Sequence, residues 1–550
     1  MRTNGRVLEI PFQQSVKRLA DMTVRSPLVS WSWSALGDQN FTSTLVEFRP
    51  SDVETVREMM AGRYLFASKL LDSQGVSPFA VRPVNHAWWR ELHSFSWLRH
   101  FRDLQSTADK RFARTLVLDW IGRNTNFKRP CWAPALTAVR VLNWLRHMPV
   151  LTGDASEEQS KTILRSVGTQ LQSLKVRGLL ASDPLDALFS AIALLGAVLC
   201  EQAPDRQVAA RMGRLKKLLD AQIDEDGLHR SRNAAVQFEV LTELVSVKQA
   251  LGQRHRGLAV AISDTIERMH AALDAMMMGT GEPAYFNGCG QLPVDLIVAL
   301  QSQYNGPSAE TGIKSGYGIL RSGAARLIVD SGLVPPLSFA RETHASGLGF
   351  EFSHGTDLVV CNCGPAPADL VDSRRLFRLG AAHSAPTIGG RSTARFMMRG
   401  PYKNSLFTNV ERPHMFLDTE DCAVEVTNFA YAENYGVNLR RNLTLISDGN
   451  TLVGQDTLLP ARQARSGPLT IRFHLAPGAD AVRQGTDDII NVRLKSGADW
   501  TFLWEGGIAE IEESVRQSAY FGFFRTQQIV IETEVRPNLE ISWIFARQSS

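Results

Sequence analysis

Thr343-His344-Ala345-Ser346-Gly347-Leu348-Gly349-Phe350-Glu351-Phe352-Ser353, followed by Leu358-Val359-Val360-Cys361-Asn362-Cys363-Gly364, decides the reading of this chain. Leu348, Phe350 and Phe352 alternate with Gly349, Glu351 and Ser353, the period of two expected of a half-buried strand. Downstream the same pattern returns in Leu469–Leu475, Gln528–Val535 and Leu539–Phe545, each run bounded by Gly, Asp, Asn or Pro. About a dozen such strands with tight turns predict a large antiparallel sandwich. Upstream the period changes. Leu185, Leu188, Ile192, Leu195 and Leu199, and then Leu258, Ile262, Ile266, Met269, Leu273 and Met276, recur in steps of three and four. That spacing buries one helical face. Similar segments start near Ala87, Lys110, Ala135, Glu157, Arg206 and Ala234, separated by short breaks such as Asp183-Pro184, so they pack as antiparallel neighbours. The expected fold is α+β and multidomain: helices over residues 1–305, with an N-terminal extension to about 75, then a β-sandwich over 306–550.

Composition limits the function classes. The 550 residues are 44% hydrophobic and 21% charged, which suits globular domains with sizeable cores. Sixty Lys and Arg against 56 Asp and Glu leave +4, too little for a phosphate-tracking surface, so no nucleic-acid partner is expected. Six cysteines in so long a chain make no disulfide framework. Met1 to Pro11 lacks the apolar run of a secretory signal, and no later run is long enough to span a bilayer. The expectation is a soluble, cytoplasmic protein, or a periplasmic one if another export route serves it. There is no P-loop, no strand-linked G-x-G-x-x-G, no H-E-x-x-H and no G-x-S-x-G, and no organic cofactor is expected. Eight of the eleven tryptophans, Trp31, Trp33, Trp88, Trp89, Trp97, Trp120, Trp132 and Trp144, fall in the first third. They suggest either helical core or sugar-stacking surfaces in a cleft between the two layers.

The His344 stretch, with Ala381-Ala382-His383-Ser384, Tyr435–Arg441, Gly454-Gln455-Asp456, Arg472–Leu475 and Ile541-Ser542-Trp543, resembles the β domain of the heparinase II/III-like family. Pro130-Cys131-Trp132-Ala133-Pro134, Arg140–Trp144 and Asp226–Asn233 look like landmarks of that family's helical (α/α) toroid. The resemblance covers roughly residues 75 to 548. It implies a carbon–oxygen lyase of bacterial type that cleaves a uronate-containing acidic polysaccharide or oligosaccharide by β-elimination. Such chemistry needs a group to neutralise the carboxylate, a base for the C5 proton and an acid for the leaving oxygen.

Departures from the family pattern shape the candidate site. Glu342 stands where the family's catalytic histidine is expected, His344 matches the metal-side histidine, Asn362 replaces a metal-ligand Asp, and His383 is retained. His344, His383 and Asn362 are therefore candidate ligands of one divalent ion, zinc or calcium, with Cys361 or Cys363 as alternatives on the opposite strand face. The toroid's Asn-His and Tyr-His words are missing. His229, Ser231, Arg232 and Asn233 stand in their region, with Arg232 or Asn233 as carboxylate-side groups and His229 as a proton-transfer group. In the alternative, Ser231 or Asn233 caps the helix through Phe238, Leu241 and Val245. Tyr285, on a Gly-rich loop, would act as base and acid if a neighbouring cation lowered its pKa. His344 is the leading catalytic candidate, with Glu342, Arg341 and Trp132 as substrate-binding residues. The rival readings are a catalytically reduced carbohydrate-binding protein of the same fold, or a structural or assembly protein.

Overall fold

A computed structural model describes residue 26 and residues 40–548, apart from 105, 128, 367–369, 371, 372, 401, 486, 487 and 519–521. Trp31, Trp33 and the stretch Met1 to Pro11 lie outside the described residues. The chain divides into two compact units: residues 1–222, 239–267 and 295–304, and residues 223–238, 268–294 and 305–550. The helical region is thus followed by antiparallel sheets, as expected. One boundary at 305/306 was too simple, because 223–238 and 268–294 belong with the β-rich unit. Arg232 explains the first inclusion: its guanidinium bonds the carbonyls of Ser315, Gly316 and Leu333 and the carboxylate of Asp330.

The first unit is built around the helix Pro184–Cys200, buried on every side from Ala187 to Cys200. A helix apolar all round needs neighbours on all faces, and Pro134–Arg146, Glu157–Leu179 and Asp205–Gln222 supply them. Asp183 caps it by accepting a hydrogen bond from Leu185 N, and Pro184 takes the first turn, where its missing N–H costs nothing. Among the described residues Trp88, Trp97, Trp120, Trp132 and Trp144 form core, while Trp89 is half-buried. Trp120 and Trp144 meet edge to face at 5.8 Å, and Phe95 packs between them and Trp97. Among the described residues no helix is long and apolar enough to cross a membrane.

The second unit holds two antiparallel sheets. In the first, the strands run Ile508–Ser518, Gly522–Glu534, Pro468–Leu475, Asp357–Cys361, Phe350–His354, Ala325–Asp330, Tyr317–Ser322 and Gly312–Lys314, with Pro386–Ile388 pairing beside Pro468–Leu475. In the second they run His414–Asp418, Ala423–Asn428, Val437–Ile446, Thr451–Pro460, Glu540–Arg547, Asp499–Glu505, Ile489–Arg493 and Asp480–Arg483. Strand alternation is visible in Val437–Ile446, where Val437, Leu439, Arg441, Leu443 and Leu445 are buried and their neighbours are not. The inner faces meet through aromatic rings: Phe350 stacks on Trp543 at 5.5 Å and Phe473 meets it edge-on at 4.7 Å.

One charged residue enters this core. Arg441 lies opposite Asp456 in register and grips it with two bonds of 2.7 Å, while Trp543 Nε1 donates to the same carboxylate. Its remaining nitrogen donates to Leu348 O at 2.8 Å and Ser384 O at 3.0 Å. Breaking a buried pair from one side leaves an uncompensated charge. Asp456→Ala is therefore expected to destabilise the protein by about 3–5 kcal/mol in denaturant unfolding followed by tryptophan fluorescence. The apolar double variant Arg441→Met, Asp456→Leu should recover only part of that loss, since the two carbonyls stay orphaned; full recovery would show that they contribute nothing.

Candidate functional site

His344 and His383 come together in the second unit. His383 follows a short turn whose Leu379 carbonyl lies 2.8 Å from His383 Nδ1, and His383 Nε2 lies 3.1 Å from His344 Nδ1. A carbonyl only accepts, so His383 carries its proton on Nδ1 and accepts through Nε2. His344 must then donate from Nδ1, which leaves the lone pair on His344 Nε2. No hydrogen bond occupies that nitrogen among the described residues. Burial, then the neighbouring His383 and Arg378 charges, hold His344 well below the ordinary histidine range, and burial brings His383 to about 4. Both rings are neutral near pH 7.

The loop carrying His344 is fixed from several sides. Arg378 Nε donates to Thr343 O at 2.9 Å, Ala345 N donates to Arg378 O, and Ser346 Oγ donates to Asp330 Oδ2 at 2.5 Å. His344 N donates to Asn287 Oδ1, and Asn287 Nδ2 donates to Tyr317 Oη, which donates to Arg232 O. Asn287 and Gly288 both have left-handed φ, 52° and 89°. A Cβ at Gly288 would lie 3.1 Å from Glu342 O and 3.2 Å from Asn233 Nδ2, so glycine lets these two residues close in on the turn. Asn233 Oδ1 caps the helix Ala234–Arg254 by accepting from Ala235 N at 2.8 Å, while its Nδ2 is unspent among the described residues. The site surface therefore offers a neutral imidazole lone pair and an amide donor.

Other candidates are placed differently. Arg232 spends all three guanidinium nitrogens on Ser315, Gly316, Leu333 and Asp330, which corrects its reading as a grip for a substrate carboxylate. Tyr285 does have a cation, Arg516, 4.0 Å over its ring, yet burial outweighs it and pushes the phenol above its ordinary range. Its Oη donates to Glu282, so it is held protonated rather than poised as a base. His229 is buried, with Nδ1 accepting from Ser231 N and facing Ser231 Oγ at 2.8 Å, and burial lowers it to about 3. Trp132, in the first unit, is 3% exposed and its Nε1 donates to Asn124 O, so its ring has no open face for a sugar. Glu342 is exposed and pairs with Arg374 at 2.5 Å; Arg341 is exposed beside it.

The metal reading meets an incomplete donor set. Asn362 Oδ1 accepts from Ser384 N at 3.0 Å and its Nδ2 donates to Tyr285 O at 3.4 Å, so its amide is committed. Cys361 Sγ donates to Leu475 O, and Cys363 Sγ lies 3.7 Å from His474 Nδ1. Among the described residues no group of three His, Cys, Asp or Glu side chains is placed to hold an ion. Two imidazoles alone fall short of the usual three or four protein ligands.

The sequence reading gave no role to Asn287, Asp330, Arg441 or His474, although Arg441 and His474 lie inside the quoted family words; His474 backs the His383 turn by donating from Nε2 to Ala381 O. Only Asn287 carried a local signal, the Asn-Gly turn pair. Because His229, His383 and His474 titrate near 3 to 4 when folded against 6.5 otherwise, the unfolded chain binds more protons between those values. Their stabilisation is complete above about 6.5 and is lost as pH falls toward about 4. The thermal unfolding midpoint of the sheet tryptophans should therefore drop steeply over that window; a flat profile would contradict neutral burial.

Residues 305–544 match the family model of the heparinase II/III-like C-terminal domain. Over 524 residues the chain is 26% identical to FtsZ-localized protein C of Caulobacter vibrioides, covering 90% of this chain and 89% of that protein. Heparinase III has a similar structure, with a TM-score of 0.70 and 12% identity over 94% of this chain and 88% of that one. A mutant of the heparan sulfate lyase HepC from Pedobacter heparinus matches with a TM-score of 0.62 and 12% identity over 100% and 90%. At such identities the likeness of structure concerns fold alone. Residues 305–544 thus correspond to a heparinase II/III-like C-terminal domain, and the helical region followed by antiparallel sheets is the fold of the heparinase III structures.

Proposed function

We propose that this protein is a polysaccharide lyase-like enzyme that acts on a uronate-containing acidic glycan, with His344 as the proton-transfer residue. One observation carries the reading: the Leu379–His383–His344 chain of hydrogen bonds fixes the tautomer that leaves His344 Nε2 as an acceptor. Asn233 Nδ2 is the group assigned to the substrate carboxylate. His344 Nε2 takes the C5 proton, a C4–C5 double bond forms as the C4–O bond breaks, and the imidazolium returns the proton to the leaving oxygen.

The test is the ultraviolet absorbance of the unsaturated uronate, measured on the full chain against a panel of acidic glycans. A rise with at least one glycan, lost in His344→Ala and reduced about tenfold to a thousandfold in Asn233→Ala, is expected. A rise that survives in the double variant refutes the assignments. Insensitivity to chelator is expected as well.

A second reading is favoured by two observations. Arg232, Tyr285 and His229 are all bound up internally, and the relative that matches along nearly the whole chain is named for its localisation with FtsZ. In this reading the protein keeps the fold, binds glycan without turnover, and is localised with FtsZ. It predicts co-sedimentation of the purified chain with polymerised FtsZ from the same organism and a flat absorbance trace. Absence from the FtsZ pellet would remove it.

A further inference from the structure

We propose a glycan-binding surface on the outer face of the sheet that contains Val437–Ile446, separate from the His344 site and specific for an uncharged saccharide. Strand register lines up Phe416, Glu425, Asn442, Gln455 and Ser542 as one row across five strands. A parallel row is His414, Thr427, Arg440, Thr457 and Glu540. These side chains alternate with the buried Val424, Val426, Leu439, Leu443 and Leu458, so they face away from the sandwich core.

Three features make this face a binding surface rather than an ordinary solvated one. Phe416 is 67% exposed at the edge of the first row, where its ring offers a platform for the C–H face of a sugar. Asn438 Oδ1, Asn442 Oδ1, Arg440 Nε and Thr457 Oγ1 are shielded from water and have no hydrogen-bond partner among the described residues. Orphaned polar atoms are costly, and four on one sheet face are unusual. Third, the face runs at Asn438 into a groove of about 500 Å³ bordered by Phe429, Glu411, Glu433 and Arg462, the size of an ordinary ligand pocket.

Charge selects the ligand class. Arg440 lies 3.8 Å from Glu425, and Glu540 accepts from the neutral Gln455 Nε2 at 2.6 Å, so the two rows set one guanidinium against two carboxylates. The groove sets one arginine against two glutamates. Among the described residues of the rows and the groove no surplus cation remains for a polyanion, which excludes uronate polymers and nucleic acid as the preferred occupant. Hydroxyl groups, donor and acceptor on one atom, suit a mixed row of amide oxygens, a threonine hydroxyl and a guanidinium N–H. Rotation of Asn438, Asn442 or Arg440, none fully buried, brings those atoms to a bound hydroxyl.

The test is calorimetric titration of the full chain with uncharged gluco-, galacto- and N-acetylglucosamine oligosaccharides and with one uronate oligomer. Saturable binding of an uncharged oligosaccharide is expected, weakened about tenfold by Phe416→Ala and by Arg462→Ala. Both side chains lie at the surface, and unchanged circular dichroism would show the fold intact. Three results overturn the proposal: no saturable binding to any uncharged oligosaccharide at millimolar concentration, full affinity in Phe416→Ala, or tighter binding of the uronate oligomer.

Discussion

The β-rich unit depends on a single guanidinium. Arg441 sits in a sandwich core where a charge is costly, and its donors are matched by the Asp456 carboxylate and by the carbonyls of Leu348 and Ser384. Those two carbonyls belong to the loops that carry His344 and His383. Leu348 has φ of 67°, an expensive conformation for a non-glycine residue, and it persists because Arg441 holds its carbonyl while Asp330 O accepts from its N–H. An apolar pair at 441 and 456 would pack the core as well, but it would not tie the second sheet to both histidine loops.

This dependence explains which parts of the protein were legible in its sequence. The Val437–Ile446 strand and the wholly apolar helix Pro184–Cys200 are written in local periodicity, which reports burial directly. Paired histidines were legible because they belong to words whose residue types are rare. Partnership across long separations was not. Arg232 reads as a free cation until Asp330, 98 positions on, is known to face it. Tyr285 reads as an activated phenol, and Arg516 does lie over it, but sequence holds no measure of the burial that reverses the shift. Trp132 illustrates the same gap, since an indole in core and an indole on a sugar platform are spelled alike.

The buried ion pairs and neutral histidines of the second unit divide the work between them. Arg232–Asp330 and Arg441–Asp456 are charged groups fully matched by opposite charge and hydrogen bonds, so they fix backbone geometry. His344 and His383 are left uncharged, linked to each other and to one carbonyl, so they store a proton-accepting capacity instead. Asn362 supports this division. In place of a carboxylate it offers an amide that bonds Ser384 and Tyr285, and the nearby Asp330 carboxylate is already spent on Arg232 and Ser346.

Low basicity of His344 in the free protein is compatible with the proposed elimination. Its pKa is depressed chiefly because burial removes water from the imidazolium, with neighbouring positive charge adding to the effect. A uronate carboxylate brought close by Asn233 would supply the missing counter-charge in a poorly solvated setting, where a pair interacts far more strongly than in water. Basicity would then rise only with the substrate bound, and at the atom that the His383 hydrogen bond leaves free. The Arg378 guanidinium that acts on this imidazole is already held by the Thr343 carbonyl, so an arriving substrate carboxylate would act on the imidazole itself.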